Sequence, residues 1–427
     1  MTFVAAVLAE IVTIGDELTR GETVDTNSAF LAGRLTELGV CSVGWLTSCR
    51  DVRADIADAL VRAASRAKIV LVSGGLGPTE DDLTVDVAAE LAGVEAVVDE
   101  PSRERMERRF ARANFKLTPN NIRQVRVPSG ARVFDNRNGL APGFEIALRG
   151  AAVFFMPGIP REMSRLCDEQ IIPRIGELLA GAPRVLRRIW RVFGVGESHV
   201  DDRLSGLLAA VDPGAPADSA SLHFNVQFPE VLVKVIARDA DEARARERLD
   251  RLGTEIRTRL GDAVYGEGDD GLPVAVGAAL RGRGATVALA ESCTGGLIGH
   301  LLTEVPGSSE YFKLGMVLYA NEEKVARLGV SEATLAQHGA VSRECVEEMA
   351  RAVRDLAGAT YGVAVSGIAG PSGGTPDKPV GTVHLAVASM SEVHAKVLSY
   401  PGTRSQVKQL AAHWALKLLL TEASKQS

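Results

Sequence analysis

Short apolar runs alternate with stretches in which apolar residues recur every three or four positions, and this alternation organises residues 1–180. A strand over 7–14 leads into Gly15-Asp16-Glu17-Leu18-Thr19-Arg20-Gly21. A helix over 27–38 follows, with Phe30, Leu31 and Leu35 on its apolar side. A strand over 41–46, a helix over 54–67, the run Ile69-Val70-Leu71-Val72 and a later strand over 152–155 continue the pattern. The fold class predicted is α/β, with a doubly wound parallel sheet whose functional loops lie at the carboxyl ends of its strands.

Near Gly181-Ala182-Pro183 the texture changes. Residues 181–267 read as strand over 187–195, helix over 197–208, strand over 231–236 and a charged helix over 239–260, which make a small α+β middle module. In that helix Leu249, Leu252 and Ile256 share one face, and the Pro/Ala/Gly stretch 212–217 reads as a loop. The third unit, 268–427, opens with a helix over 273–283 and a buried strand over 286–290. The strand runs into Glu291-Ser-Cys-Thr-Gly-Gly296, beyond which Leu297, Ile298, Leu301 and Leu302 recur at helical spacing. Strands over 315–319, 362–366 and 381–387, a glycine-rich loop over 367–374 and an amphipathic helix over 403–420 complete an α/β layered domain with its polar loops on one edge.

At 427 residues the chain is long enough for two or three domains, and 46% apolar with 24% charged residues is the mix of a globular protein with ample core. The net charge of −6 supplies no global basic field, which argues against nucleic acid or an anionic membrane as partner. Glu10 interrupts the first apolar run, which therefore reads as a core strand and not as a signal or membrane segment. The five scattered cysteines, without a C-x-x-C, fit free thiols in a reducing cytoplasm, and the seven histidines show no metal-ligand spacing.

Ser292 follows a buried strand at the start of a helical pattern. Two readings stand there, a nucleophile facing backbone N–H donors or a helix N-cap. Tyr319 and Lys324 each lie just beyond another strand, so a parallel sheet would bring all three to one edge. A desolvated lysine can take a serine's proton, but Lys324 can equally be an exposed helix lysine paired with a glutamate, and Tyr319 a strand-end aromatic. Asn321 reads as the cap of the Lys324 helix. In the first unit, Ser73-Gly74-Gly75-Leu76-Gly77-Pro78-Thr79-Glu80-Asp81-Asp82 follows a strand. Gly74, Gly75 and Gly77 with Thr79 would let backbone approach a phosphate, and Asp81 and Asp82, with Asp16 and Glu17 from a neighbouring loop, suit a hydrated divalent cation. The alternative there is a Gly-Pro turn capped by acids.

Five ordered motifs extend the reading: Glu291-Ser-Cys-Thr-Gly-Gly296, Tyr319-Ala-Asn-Glu-Glu-Lys324, Ala336-Gln-His-Gly-Ala-Val-Ser342, Ser366-Gly-Ile-Ala-Gly-Pro371 and Lys378-Pro-Val-Gly-Thr382. With these the third unit resembles the C-terminal domain of the CinA (competence/damage-inducible) family, whose activity is nicotinamide-nucleotide amidase. The resemblance implies hydrolysis of nicotinamide mononucleotide to nicotinate mononucleotide and ammonia without a cofactor. It places the nucleophile on Ser292, the general base on Lys324 and an assisting hydroxyl on Tyr319. On it rest two further expectations: backbone N–H groups at Thr294, Gly295 and Gly296 for the oxyanion, and the loop 366–370 (Ser366, Gly367, Gly370) with Arg404 for phosphate and ribose.

Ile14-Gly-Asp-Glu-Leu18, Val24-Asp-Thr-Asn-Ser28, Gly74-Gly-Leu-Gly-Pro-Thr-Glu-Asp-Asp82 and Met156-Pro-Gly-Ile-Pro-Arg-Glu-Met163 make the first unit similar to the same family's N-terminal domain, akin to molybdopterin-binding MoaB/MogA proteins. Some members resemble ADP-ribose pyrophosphatases that use a divalent metal (Mg or Co) and potassium, which implies ADP-ribose as a second substrate and Asp16, Glu17, Asp81 and Asp82 as the metal set. Leu140 departs from the threonine expected in the Gly-x-Ala-Pro-Gly turn. Family analogy and the base rate for oligomers imply a homodimer. A nucleotide-sensing scaffold tied to competence or DNA repair is the alternative function, and ammonia release separates the two.

Overall fold

The computed structural model describes residues 7–216 and 219–425, so the readings made for residues 1–6 and for Ala217 lie outside the described residues. The backbone divides into two compact units, one of Met1–Arg187, Val211–Ser221 and Val235–Leu252, the other of Arg188–Ala210, Leu222–Lys234 and Gly253–Ser427.

The N-terminal sheet contains β1 (Val7–Ile14), β2 (Cys41–Cys49) and β3 (Ile69–Ser73). After a separate pair, β4 (Ala96–Val98) and β5 (Arg126–Pro128), the chain adds β6 (Arg132–Phe134), β7 (Gly143–Leu148) and β8 (Ala151–Met156). The order is β2-β1-β3-β8-β7-β6, with β2, β1, β3 and β8 parallel. β7 and β6 join antiparallel, so one edge of the expected parallel sheet is mixed. The short β7–β8 connection at Arg149-Gly150 forces that reversal, because a parallel neighbour needs a long crossover. Every residue of β3 is buried, as a strand covered on both faces requires. Glu10, also fully buried in β1, is matched by Arg66 at 2.6 Å and Thr47 Oγ1 at 2.7 Å, which supplies the pairing a buried carboxylate needs.

Chain order places the strand ends Ile14, Cys49, Ser73 and Met156 on one edge of the four parallel strands. The chain leaves β1 for β2 on one side and reaches β3 on the other, which makes this edge a topological switch point. The helix Thr26–Leu38 is capped by Asp25, whose carboxylate accepts from Ser28 N at 2.9 Å, and it ends on Gly39 at φ +69°.

The middle module holds β9 (Arg184–Phe193), β10 (Ala220–Gln227), β11 (Glu230–Asp239) and β12 (Val264–Glu267) in the order β10-β11-β9-β12. β10 and β12 are additions to the strand–helix–strand–helix reading. The predicted helix 197–208 breaks into Glu197–Leu204 and Leu207–Val211 around Gly206 at φ +69°. Several of its arginines carry acidic partners, as in Arg248 with Asp212 and Arg257 with Glu267.

The C-terminal sheet is built from β13 (Val287–Glu291), β14 (Phe312–Val317), β15 (Tyr361–Gly367), β16 (Thr382–Ala388) and β17 (Val393–Ser399), in the order β14-β13-β15-β16-β17. β14, β13 and β15 are parallel, while β16 and β17 add antiparallel. Helix Arg343–Ala357 covers the alanine-rich face of Ala288, Ala290, Ala364 and Ala386. Helices Leu272–Gly282 and Arg404–Ser424 cover the other face, on Val287, Leu289, Val363 and Leu385. The result is a three-layer sandwich whose β13, β14 and β15 open at one common edge. All five cysteines are buried and free. No helix among the described residues is long and apolar enough to cross a membrane.

Candidate active site

At the end of β13, Ser292 N–H donates to Val365 O at 3.0 Å, and Leu318 N–H donates to Glu291 O at 2.7 Å. The backbone on both sides of the serine is thereby fixed by neighbouring strands. The helix that follows, Leu297–Thr303, is not capped by Ser292. The Glu291 carboxylate turns into its N-terminus and accepts from Gly296 N at 3.0 Å, Ile298 N at 3.1 Å and Gly299 N at 2.8 Å. Glu291 is 2% exposed and closes β13, whereas the sequence reading ends the strand at Ala290, puts Glu291 in the turn and gives it no capping role. Its position also alters the expected oxyanion donors. Gly296 N–H is committed to Glu291 and Gly295 N–H to Ser292 O at 3.0 Å, which leaves the Thr294 N–H uncommitted among the described residues. Thr294 Oγ1, in a residue 0% exposed, has no hydrogen-bond partner.

Lys324 sits on the helix Asn321–Leu328, whose N-cap is Ala320; Asn321, expected as the cap, is its first residue. The side chain points inward and is 1% exposed. Its Nζ donates to Tyr319 O at 3.2 Å and lies 3.5 Å from both Ala320 O and Asn321 Oδ1. It has no ion pair among the described residues, and burial holds its pKa below the ordinary 10.5. The exposed, glutamate-paired lysine is therefore not what the structure contains. Ser292 and Lys324 share the strand-end edge, and no hydrogen bond joins their side chains among the described residues.

Tyr319 lies two residues past β14 and is 62% exposed. Its hydroxyl accepts from Arg404 Nη2 at 3.1 Å, while Arg404 Nη1 donates to Gly370 O at 2.8 Å. Arg404 thus ties the tyrosine to the loop after β15. Ser366 and Gly367, expected in that loop, belong to β15 and pair with His384 and Val383; the loop starts at Ile368. Gly367 packs so closely on β16 that a Cβ would lie 2.6 Å from Val383. Lys408, one turn beyond Arg404, also reaches this turn, since a Cβ built on Gly295 would lie 3.5 Å from its Nζ. The i,i+4 spacing of two cations on one helix was the available signal for it.

In the N-terminal domain a cavity of about 860 Å³ opens at the switch-point edge, lined by Gly74, Gly75, Gly77, Thr79, Glu17, Asp51, Asp81 and Asp82 among others. Gly74 at φ +117° brings its Cα against β1, where a Cβ would stand 2.2 Å from Ile14 O. Asp82 accepts from Gly77 N at 2.7 Å, Thr79 N at 2.8 Å and Thr79 Oγ1 at 2.5 Å, so its carboxylate and the threonine hydroxyl shape the loop. Asp16 pairs with Arg20 and accepts from Asp51 N at 3.2 Å. Among the described residues the four acids do not bring three ligand oxygens together, and Asp82 and Asp16 are engaged by the loop and by Arg20, which leaves Glu17 and Asp81 as the acids that would hold a hydrated cation. Asp51, missed in the sequence, lies above the usual carboxylate range through burial and the nearby negative charges of Glu17, Asp16 and Asp81. Glu392, His394 and Glu422 do converge elsewhere, with Lys425 Nζ 2.9 Å from His394 Nε2 and 2.8 Å from Glu422, so an ammonium already supplies the cation.

Three family models match the chain. "CinA C-terminal domain" covers residues 269–423, "Probable molybdopterin binding domain" 10–177 and "Damage-inducible protein CinA KH domain" 187–266. A CinA-like protein of Anaeromyxobacter sp. is 44% identical over 96% of this chain and 98% of its own length. Another, from Geobacter sulfurreducens, is 40% identical over 96% and 98%. A crystal structure of a competence/damage inducible protein from Agrobacterium tumefaciens, 39% identical, covers 35% of this chain and 92% of its own with a TM-score of 0.35. With relatives this similar along nearly its whole length, the chain belongs to the CinA family.

Proposed function

We propose that the C-terminal domain hydrolyses the carboxamide of nicotinamide mononucleotide, with Ser292 as nucleophile and Lys324 as general base. The observation that carries this reading is the buried Lys324, without an ion pair among the described residues, at the same sheet edge as Ser292. Burial without a carboxylate disfavours the ammonium and populates the amine a base must be. Ser292 Oγ attacks the carboxamide carbon while Lys324 Nζ takes the hydroxyl proton. The Thr294 N–H is the donor left for the oxyanion. The C–N bond then breaks, Lys324 gives its proton to the departing ammonia, and water, deprotonated by the same amine, cleaves the acyl-enzyme to nicotinate mononucleotide. Tyr319, held by Arg404, assists at the rim.

Ammonia release from nicotinamide mononucleotide by the purified full chain tests this directly, and its absence in folded protein would leave the scaffold reading. The pH profile tests the base. The active form of Lys324 is deprotonated, and burial lowers its pKa. kcat/KM is therefore expected to rise with pH through a midpoint below the ordinary lysine value of 10.5. A midpoint at or above that value would remove Lys324 from the role. The same shift makes the unfolded state bind the proton more readily, so Lys324's contribution to stability falls as pH drops from 10.5 through its folded pKa.

For the N-terminal domain a nucleoside diphosphate sugar such as ADP-ribose is the ligand class supported by the strand-end cavity with its glycine loop. No step is assigned to a metal there. Incubation of ADP-ribose with the protein, Mg or Co and potassium is expected to yield AMP and ribose 5-phosphate, with EDTA as the metal-free comparison. Intact ADP-ribose in every arm would reject this second activity.

A further inference from the structure

Three features of the turn Cys293–Gly296 point to an anion. Lys408 Nζ, on the half-buried face of helix Arg404–Ser424, makes no hydrogen bond or ion pair among the described residues and stands over Gly295. The Thr294 hydroxyl is buried and unpartnered in the same turn. Gly295 and Gly296, at φ +63° and +91°, present no side chain there.

The charges around the turn agree. Cys293 is pushed up to about 12 by burial and by Glu291, while Lys408 and Arg404 act on it in the opposite sense. Lys324 lies close enough to Cys293 to sense it as well. The acid that acts on the turn among the described residues, Glu291, has its oxygens taken by three backbone N–H groups. That capping also fills the helix N-terminus, which cannot then serve as the phosphate cradle. Arg404 has guanidinium donors directed at Gly370 O and Tyr319 Oη, which makes it a strut for the rim. Lys324 Nζ is held by Tyr319 O, so among the described residues the cation of this turn left without a hydrogen bond or ion pair is Lys408.

We propose that Lys408 is the phosphate-binding cation of this site, holding the phosphomonoester of the substrate over Gly295 with the Thr294 hydroxyl as a second donor. Lys408 then selects nucleotide over nucleoside, and the assignment of phosphate to the 366–370 loop and Arg404 is replaced by one in which Arg404 shapes the pocket and Lys408 carries the charge. The inference rests on the amidase reading for the identity of the substrate, but not for the presence of an anion site.

The test is Lys408→Met, which keeps the length of the stem, with Lys408→Arg as the charge-retaining control. Binding of inorganic phosphate and of AMP to the full chain, measured by calorimetry, is expected to weaken about tenfold to a hundredfold in Lys408→Met and to persist in Lys408→Arg. In turnover, KM for nicotinamide mononucleotide should rise by a similar factor with kcat within about threefold, since the contact is made equally in ground and transition states. Nicotinamide riboside, which has no phosphate, should be handled alike by wild type and Lys408→Met. Unchanged phosphate and AMP binding in a Lys408→Met protein of unaltered thermal midpoint overturns the proposal, as does an equal KM rise for the riboside. Absence of any ammonia release by wild type would reject the amidase reading alone, and the calorimetry would still decide on Lys408.

Discussion

Ser292→Ala is expected to remove ammonia release from nicotinamide mononucleotide by about 10³-fold or more, and Lys324→Met to do the same. Both losses follow from one feature of the amidase proposal: each group is used in every proton and bond-making step. The serine change should leave the fold intact. Its backbone is held by Val365 O and Gly295 N, and neither contact uses the side chain. Methionine in place of Lys324 fills the same buried volume without the amine, whereas alanine there would leave a cavity and confuse instability with lost chemistry. Because the two groups act as a unit, the double variant should be no slower than the slower single one. Product quantified by ammonia assay, beside a denaturation curve for each variant, checks this. A Ser292→Ala enzyme within about tenfold of wild type would mean that Ser292 is not the nucleophile. A slow Ser292→Ala paired with an unimpaired Lys324→Met would keep the nucleophile and move the base elsewhere.

The parallel cores were legible because a strand buried on both faces has to be apolar throughout. Ile69–Ser73 and Val287–Glu291 could hardly be read otherwise, and each ended where its chemistry-bearing loop began. The reversals were not legible. The pattern shows β16 as a strand but leaves β7 and β17 unread, and direction is decided by connection length and packing, not by local pattern. β10 was invisible for a different reason. Its residues Asn225–Gln227 are exposed and nearly patternless, so little hydrophobic period remained to read. At the active site, Ser292, Tyr319 and Lys324 could be placed on one edge from strand order alone. Whether Lys324 was buried could not, since its burial depends on Cys345 and the helix Arg343–Ala357 as well as on its own segment. Likewise, nothing local separates an aspartate that holds a metal from one that ties a loop. Asp82 is of the second kind because Gly77 and Thr79 donate to it first.

Glu291→Ala is expected to be among the most destabilising single substitutions in the C-terminal domain, by about 3–5 kcal/mol. The carboxylate accepts from three backbone N–H groups at a helix N-terminus, where its charge also opposes the positive end of the helix dipole. Alanine removes all three acceptors at once, and the site is too buried for water to replace them freely. Glu291→Gln is the more informative change. Its amide keeps one oxygen acceptor but turns an NH₂ toward backbone donors, which should cost about 2 kcal/mol and loosen the turn without unfolding it. Since that turn begins at Ser292, loosening it should lower kcat by about tenfold or more while KM moves little, the pattern of a misaligned nucleophile. A denaturation midpoint that falls for both variants with an unchanged denaturant slope, together with the kcat-dominated loss in Glu291→Gln, would make Glu291 a positioning residue for the serine. If Glu291→Gln lost stability but kept kcat, the carboxylate would serve the helix alone, and Ser292 would be held in place sufficiently by the ladder to Val365.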